Sequence, residues 1–313
     1  MDRPTLPRPA DEAKVGPGCL TRPMSIRLAL TRGLLRTLPR HTATAESLRA
    51  SLPARGAAAG AGGAVRRVAV VRETAVGGWP VTLLTPRRGA SGTHVVYAHG
   101  GAYVRPLSRF HWSILTRLVR SGASVSVPHY GLAPDHGPDE ALELMAAVHR
   151  RERARHDRVV VAGDSAGGGL SLAHAMRERD AGHPAADALV LFAPWVDVTL
   201  ADPAAAALEH RDHLLGVEGL REAGRLWAGD RDPRDPTVSP LYGDLGGLPP
   251  VFTYQGDRDV LLPDAKSLTR GVQAAGGRAE LRIAAGGFHV HVAAGWTPEA
   301  RRTFAHVDQV LRG

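Results

Sequence analysis

The stretch "VVVAGDSAGGGLSLAHAM" (159–176) decides how the rest of the chain is interpreted. Four apolar residues lead into G-D-S-A-G, and a pattern with helical spacing follows. A strand, a sharp turn and a helix are the context of the G-x-S-x-G nucleophile elbow, which exposes its serine hydroxyl at the rim of a sheet. The pattern therefore indicates that Ser165 is a nucleophile. The alternative is that Ser165 only caps the helix over 166–180.

Outside that stretch, short apolar runs alternate with helical patterns along most of the chain. Strands separated by helices predict an α/β fold, with a mostly parallel eight-stranded sheet and helices on both of its faces. The first two apolar runs have no helix between them, so we expect an antiparallel pair at one edge of the sheet. The apolar runs lie at 65–71, 79–85, 93–98, 123–129, 158–162, 187–193, 250–255 and 279–283. The helical patterns lie at 108–121, 138–155, 166–180, 264–275 and 298–312.

Four segments interrupt this alternation. Residues 1–23 are rich in proline and charge, which is typical of a mobile tail. The segment "MSIRLALTRGLLRTL" (24–38) predicts an amphipathic helix that covers part of the protein, and the alternative is a helix that lies on a membrane surface. Residues 54–64 indicate a Gly/Ala linker or loop. Residues 198–236 indicate an inserted helical segment followed by a charged loop that contains proline.

Composition narrows the class of protein. The chain has 313 residues, 43% of them hydrophobic, which suits one large domain. Its formal net charge is +8, but the basic residues are spread along the chain, whereas nucleic-acid binding needs a clustered basic face. The single cysteine, Cys19, cannot form an intramolecular disulfide. Because no apolar run approaches the ~18 residues of a membrane span and residues 1–18 lack the apolar core of a signal peptide, we expect a cytoplasmic protein without stable membrane anchoring.

A second motif, "YAHGGAYV" (97–104), follows the third apolar run. His-Gly-Gly before an aromatic residue resembles the oxyanion loop of lipases and esterases, whose backbone N–H groups stabilise the charge that develops on a tetrahedral intermediate. The expected donors are the N–H groups of Gly101, Ala102 and Ala166, and the residues expected to support the loop are His99 and Gly100. Ala102 replaces the usual third glycine, which reduces the space beside the acyl group. The alternative is an ordinary glycine turn after a strand.

The loop "GDRDVLLPDA" (256–265) follows the seventh apolar run and supplies three carboxylates. One of them should accept a hydrogen bond from the catalytic base and hold its tautomer. We expect Asp264 to cap the following helix. Of the remaining two, we favour Asp259 over Asp257 as the acid.

The loop "AAGGFHVHVAAGW" (284–296) follows the last apolar run and supplies the base. His289 is the expected base, and His291 lies two residues on. Reactive groups in open α/β sheets collect at the carboxyl ends of the strands, where all these loops begin. The order Ser…Asp…His along the chain is the order of α/β-hydrolases.

Together these motifs resemble the hormone-sensitive-lipase-like family of α/β-hydrolases, which are bacterial esterases and lipases. The resemblance covers residues 65–313 and includes "PHYGLAPDHGPDEAL" (128–142), "APWVDVT" (193–199) and "SPLYGDLGGLPPVFTYQGDRDVLL" (239–262). The family pattern places the triad acid at Asp259 and the base at His289. This chain departs from the pattern in having Gly131 for the usual arginine, Asp135 for the usual glutamate, and Ala102.

The resemblance also implies a helical cap over the site, which residues 24–60 and 198–236 would supply. It implies a serine hydrolase that cleaves carboxylic esters of short to medium acyl chains through an acyl-enzyme, with a small-molecule ester as its partner and with no metal and no organic cofactor. It allows a homodimer that pairs through residues 279–312.

Other functions would use the same groups. Deacetylation, lactone opening, amide cleavage or cyclising acyl transfer on a specialised metabolite needs the same triad, and a ligand receptor without catalysis is known on this fold. Seven apolar side chains are candidates for the substrate pocket, with core or cap packing as their alternative role. They are Tyr103, Trp195, Leu214, Leu215, Trp227, Phe288 and Val290.

Overall fold

One eight-stranded sheet is the centre of the fold in the computed structural model, which describes residues 23–37 and 39–313. The strands are β1 (Ala69–Val76), β2 (Trp79–Pro86), β3 (Thr93–Ala98), β4 (Ser124–Pro128), β5 (Arg158–Asp164), β6 (Ala188–Phe192), β7 (Val251–Gly256) and β8 (Ala279–Ala284). Their order in the sheet is β1-β2-β4-β3-β5-β6-β7-β8. Strand β2 runs antiparallel to β1 and β4, and the other neighbours are parallel. The predicted α/β fold and its antiparallel edge pair are confirmed.

Helices cover both faces of the sheet. They are α1 (Ile26–Leu35), α2 (Ala45–Ser51), α3 (Gly63–Val68), α4 (His111–Arg120), α5 (Pro138–Arg153), α6 (Ala166–Asp180), α7 (Pro203–Leu208), α8 (Val217–Ala228), α9 (Leu262–Ala274) and α10 (Pro298–Arg312). Helices α5, α6 and α9 share one buried apolar core with the sheet, and α4 and α10 share the other. Strands β3, β6 and β7 are buried along their whole length, which explains why their sequences are apolar without alternation.

The first strand begins later than its apolar run predicts. The run at 65–71 was expected to be a strand, but its first part belongs to α3 and β1 begins at Ala69. A two-residue turn at Gly77 and Gly78, both with positive φ, joins β1 to β2. This hairpin turn sets the register of the pair, so the residues before the paired region are free to form a short helix that packs against α4.

The N-terminal helix α2 packs against the inserted helix α8. Arg49 Nε lies 2.6 Å from Glu222 Oε1 across this contact. A Cβ atom at Gly219 would overlap the backbone of Thr42, so glycine at this position permits the close approach of the two segments. The N-terminal segment and the insertion between β6 and β7 therefore form one packed layer.

Helix α1 contacts the rest of the protein through one face only. Its Leu28 is fully buried in a small cluster with Phe288. Ile26, Leu30 and Leu34 lie exposed on another face of the helix. Residues 26–35 therefore form a helix that covers part of the protein and also presents apolar side chains to its surroundings.

Among the residues that the structure describes, no helix combines the length and the apolar character needed to cross a bilayer. The expectation of a mobile tail over 1–23 falls almost entirely outside the described residues, and so does Cys19.

Candidate active site

Ser165 occupies a sharp turn between the end of β5 and the start of α6. Its φ is +53°, in the left-handed region that residues with a Cβ rarely adopt. A Cβ at Gly163 would overlap the carbonyl group of Gly167, and a Cβ at Gly167 would overlap that of Ala98, so only glycines allow the turn to pack this closely. Ser165 stands at the N-cap position, but its side chain makes no capping hydrogen bond, which argues against the capping alternative.

Three separate loops bring Ser165, His289 and Asp259 together. His289 Nε2 lies 2.9 Å from Ser165 Oγ, and His289 Nδ1 lies 2.9 Å from Asp259 Oδ2. Ser165, His289 and Asp259 are 7%, 9% and 0% exposed, so little water competes for these hydrogen bonds. Asp259 Oδ1 also accepts the N–H of Leu261 at 2.9 Å, which holds the carboxylate in place. The arrangement can move a proton from the serine hydroxyl to an imidazole that a carboxylate orients.

The other carboxylates of the loop after β7 do not contact His289. We refer to residues 257–261 as the acid loop. Asp257 makes no hydrogen bond to the imidazole, and its Oδ1 has no partner among the described residues. The expectation that Asp264 caps α9 is wrong, because the helix begins at Leu262, two residues earlier than its pattern indicated. Asp264 therefore lies buried within the first turn.

His291 takes no part in the contact between Ser165 and His289. Its Nε2 lies 3.4 Å from Thr303 Oγ1, in α10. Burial lowers the pKa of His291 to about 4. The ring is therefore neutral near pH 7 and packs as a core side chain.

The carboxylates around His289 favour its charged form. Burial alone would lower the pKa of His289, but the charge and hydrogen bond of Asp259 outweigh burial, and Asp212 and Asp164 add to the effect. The pKa of His289 is therefore raised above its ordinary value. Since a raised pKa means that the imidazolium is stabilised, the site favours the positive charge that His289 gains when it accepts a proton.

The expected oxyanion donors have no competing acceptors. The backbone N–H groups of Gly101 and Ala102 donate to no acceptor among the described residues, and both residues have positive φ in the turn that follows β3. Ala166 is the first residue of α6, so its N–H has no partner within the helix. A Cβ at Gly100 would lie only 3.0 Å from the Cβ of Ser165, so this turn lies directly against the nucleophile elbow.

His99 supports the turn and does not contact Ser165. Its Nδ1 donates to the carbonyl oxygen of Gly100 at 2.7 Å. Its ring stacks on Tyr130 with centroids 4.5 Å apart, and the Tyr130 hydroxyl donates to the His99 carbonyl oxygen at 2.6 Å. Because burial lowers the pKa of His99 to about 3, the ring is neutral near pH 7.

Asp164 joins the elbow to the same turn, and the sequence analysis did not single it out. Its Oδ1 accepts hydrogen bonds from the Tyr97 hydroxyl at 2.5 Å and the Gly100 N–H at 3.0 Å, and its Oδ2 lies 3.3 Å from His111 Nε2. Burial would raise the pKa of Asp164, but His111 and these hydrogen bonds outweigh burial and lower the pKa. The sequence feature that could have identified Asp164 is its position directly before Ser165.

Three of the expected pocket residues form a buried aromatic stack. The Tyr103 ring lies 4.2 Å from Trp227 and 5.6 Å from Trp195, measured between centroids. All three side chains are almost fully buried. The stack connects the turn after β3 with the inserted helix α8, so these side chains pack the core between the sheet and α8.

The other four expected pocket residues lie in three places. Leu214 and Phe288 pack with Leu28 of α1 in the cluster next to His289. Leu215 packs in the core that α5, α6 and α9 share with the sheet, and Val290 packs in the core of α4 and α10. Leu214 and Phe288 are therefore the two members of this set that pack against helix α1.

Among the described residues, one group of three has the side chains and spacing of a metal site. It consists of His94, Glu152 and His156, whose ligand atoms lie within 4.8 Å of one another. Its His94 is near the amino end of β3, whereas Ser165 follows the carboxyl end of β5. Both ring nitrogens of His94 already contact serine hydroxyls, Ser124 at 2.7 Å and Ser126 at 2.8 Å. The group is therefore satisfied by protein partners and remote from the triad.

Comparisons with known proteins identify the family of this fold. A family described as alpha/beta hydrolase fold matches residues 95–293. LipR of Mycobacterium tuberculosis, a candidate acetyl-hydrolase, is 36% identical over 247 residues, which cover 77% of this chain and 80% of LipR. A crystal structure of EstE5 soaked with p-nitrophenyl butyrate superposes with a TM-score of 0.81 at 26% identity, covering 92% of this chain and 98% of EstE5. A hormone-sensitive lipase from a metagenome library superposes with a TM-score of 0.77 at 28% identity, covering 93% and 99%.

Proposed function

The chain belongs to the α/β-hydrolase fold family, among its hormone-sensitive-lipase-like esterases, and from this premise we propose that it is a serine esterase in which Ser165 is the nucleophile. The enzyme hydrolyses carboxylic esters. His289 is the general base and then the general acid, and Asp259 orients His289. The observation that supports these roles most directly is the pair of 2.9 Å distances from His289 Nε2 to Ser165 Oγ and from His289 Nδ1 to Asp259 Oδ2.

Acylation is the first step. His289 Nε2 accepts the proton of the Ser165 hydroxyl while Oγ attacks the ester carbonyl carbon. The carbonyl oxygen becomes an oxyanion, which the N–H groups of Gly101, Ala102 and Ala166 stabilise. Loss of one such donor typically costs roughly 10²–10³ in kcat. When the C–O bond breaks, His289 gives its proton to the departing alcohol, and the acyl group stays on Ser165.

Deacylation repeats the same chemistry with water. His289 accepts a proton from the water that attacks the acyl carbon, the same N–H groups stabilise the second oxyanion, and the proton returns to Ser165 as the acid leaves. Asp259 remains ionised throughout and stabilises the imidazolium. The raised pKa of His289 supports this role, because the site already favours the charged ring.

We propose that the layer of N-terminal and inserted helices is a cap over this site and limits the acyl group to short or medium length. The contact of α2 with α8 and the packing of Leu28 on Phe288, next to His289, support the cap. LipR is named for acetyl hydrolysis, and EstE5 was soaked with a butyrate ester, which agrees with a small acyl group.

The test compares the Ser165→Ala variant with wild type on p-nitrophenyl acetate and p-nitrophenyl butyrate. We expect kcat/KM to fall by at least about 10⁴-fold, because the acyl-enzyme cannot form. Ser267→Ala, a change in α9 away from the triad, is the matched control and should keep wild-type kcat/KM. A fluorophosphonate should label wild type and the control but not Ser165→Ala. Wild-type turnover by Ser165→Ala would overturn the assignment.

A panel of lactones, amides and N-acetyl compounds then identifies the preferred bond. Simple activated esters alone do not identify it, because a strong nucleophile cleaves them incidentally. If kcat/KM for a lactone or an amide exceeds that for matched alkyl esters, the proposed activity becomes that of a lactonase or an amidase with the same triad.

A further inference from the structure

Asp212 is a second buried carboxylate next to the acid loop, and the mechanism above does not use it. It lies in the inserted segment between α7 and α8 and is 2% exposed. Its Oδ1 accepts the N–H groups of Leu214 and Leu215, each at 2.9 Å. Its Oδ2 accepts the N–H of Val260 at 3.1 Å. One carboxylate therefore joins the inserted segment to the residue that directly follows Asp259.

Asp212, Asp259 and His289 influence one another's charge. Burial, and then the negative charge of Asp259, raise the pKa of Asp212 to about 6, while His289 acts in the opposite direction. In return, the charge on Asp212 contributes to the raised pKa of His289. Because groups that interact this closely titrate as one system, Asp212 changes its charge in the pH range where His289 must become neutral to act as a base.

Many charged side chains surround the inserted segment. They interact with His213, the residue after Asp212, rather than with Asp212 itself. Arg36 Nε donates to His213 Nε2 at 2.9 Å. Burial and then the surrounding arginines lower the pKa of His213. No Lys, Arg or His of the described residues forms a salt bridge with Asp212, so its charge is balanced mainly by backbone N–H groups and by His289. The charged groups on the adjoining elements are Arg32, Arg36 and Arg40 of the N-terminal segment, Glu209 and Arg211 of the inserted segment, and Asp257 and Arg258 of the acid loop.

We propose that Asp212 is a positioning residue that couples the inserted segment to the triad. Its carboxylate holds the acid loop through the Val260 N–H and supplies negative charge that favours the imidazolium form of His289. It acts through Asp259 and His289 and contacts no reacting atom. The proposal rests on the proposed function, because it concerns the same His289.

The experiment compares the pH dependence of kcat/KM in wild type and in the Asp212→Asn variant, with p-nitrophenyl butyrate as substrate. Asparagine has nearly the same shape but no charge. We expect the acid limb of the profile to move to lower pH by about one unit, because His289 loses a nearby negative charge. We expect the plateau of kcat/KM to fall by about tenfold or more, because the acid loop loses a fixing contact and the imidazolium is less stabilised.

Asp202→Asn is the matched control. Asp202 lies in the same inserted segment and caps α7 by accepting the Ala204 N–H at 2.8 Å. This substitution removes a negative charge from the same segment without touching the acid loop, and the asparagine oxygen still accepts the Ala204 N–H, so the acid limb should stay in place. If Asp212→Asn folds and keeps the wild-type acid limb, Asp212 is only structural and the proposal is overturned.

The wild-type profile tests the proposal even if Asp212→Asn does not fold. Protonation of either Asp212 or His289 weakens catalysis. A fit to the acid limb of kcat/KM should therefore need two ionisations for wild type and one for Asp212→Asn. A wild-type limb that fits a single ionisation contradicts the proposal. Labelling by a fluorophosphonate at each pH keeps the two hypotheses distinct: wild type that is never labelled refutes the serine mechanism, whereas labelled wild type with a single ionisation refutes only the role of Asp212.

Discussion

The N–H of Gly100 donates a 3.0 Å hydrogen bond to Asp164. Asp164 directly precedes the nucleophile, and Gly100 directly precedes the expected oxyanion donors, so this bond connects the two parts of the site. The elbow and the oxyanion turn belong to different strands, β5 and β3. This bond fixes the spacing between them. The N–H donors must face the position where the oxyanion forms. A fixed spacing therefore stabilises the transition state more than the bound substrate.

We expect Asp164→Ala to impair both stability and turnover. The substitution leaves the Gly100 N–H, the Tyr97 hydroxyl and His111 without their shared acceptor inside the protein. The free energy of unfolding should fall by about 2–3 kcal/mol, and kcat should fall by about 10²-fold as the oxyanion turn loses its anchor. Denaturant unfolding and kcat on p-nitrophenyl butyrate measure the two effects. Tyr97→Phe removes only one donor and should have a smaller effect on both, so a larger loss of kcat in Tyr97→Phe would contradict the role of Asp164.

Ala102 holds a left-handed backbone, with φ of +54°, that glycine adopts without strain. Ala102→Gly should therefore raise the free energy of unfolding by about 0.5–1 kcal/mol, the relief of strain exceeding the extra chain entropy. It should also raise kcat/KM for longer acyl chains relative to acetate, because space opens beside the acyl group. Ala102→Val should act in the opposite direction on both quantities. Destabilisation by Ala102→Gly would show that the alanine methyl group packs favourably.

The raised pKa of His289 predicts the pH dependence of activity. Catalysis needs a neutral imidazole to accept the Ser165 proton, so kcat/KM should fall as the pH drops through a pKa above the ordinary value of about 6.5. Asp259→Asn should move this limb to lower pH and reduce kcat by about 10⁴-fold. A limb that stays in place in Asp259→Asn would show that another group controls it.

The same shift has a consequence for stability. Because the folded-state pKa of His289 is raised, the stabilisation from its protonated form is present below the unfolded pKa of about 6.5 and is lost as the pH rises through the folded pKa. In Asp259→Asn this loss with rising pH should be smaller. Denaturant unfolding of both proteins from pH 6 upward measures it.

Two helical glycines provide a matched pair of stability tests. Alanine at Gly219, in α8, would place its Cβ against the backbone of Thr42, so we expect the free energy of unfolding to fall by about 1–3 kcal/mol as α2 is pushed from α8. Alanine at Gly33, in α1, meets no atom within 4 Å and should raise the free energy of unfolding by about 1 kcal/mol. If α2 and α8 form a cap, Gly219→Ala should also raise KM, whereas Gly33→Ala should not. Thermal unfolding and KM on p-nitrophenyl butyrate provide the readouts.

The parts of the site that could be predicted from sequence follow local rules. The strand–turn–helix pattern identified the position of Ser165, and the rule that reactive groups follow strand ends pointed to the loops of Asp259 and His289, which the structure brings to 2.9 Å contacts. Their catalytic roles remain predictions. Asp212 had no comparable signal, because it lies in an insertion between β6 and β7 and approaches the acid loop only through tertiary packing.

The limits of individual elements also depended on contacts that no local pattern contains. The apolar run at 65–71 has the composition of a strand, but the register of the hairpin pairs Ala69 with Pro86, the last residue of β2, so residues 65–68 have no partner strand. Asp264 has the chemistry of a helix cap, yet α9 begins before it at Leu262. For the apolar run, the end of the partner strand decided the outcome rather than the residues of the run.

The parallel stack of Trp227 on Tyr103, with planes 3° apart, connects the inserted helix α8 to the residue that directly follows Ala102. An indole emits light according to its surroundings, and this one stacks on the residue next to the expected oxyanion donors. The protein thus carries an optical probe beside the site: once the other four tryptophans are replaced by phenylalanine, stopped-flow recording of Trp227 emission during mixing with ester can time acylation without any attached dye.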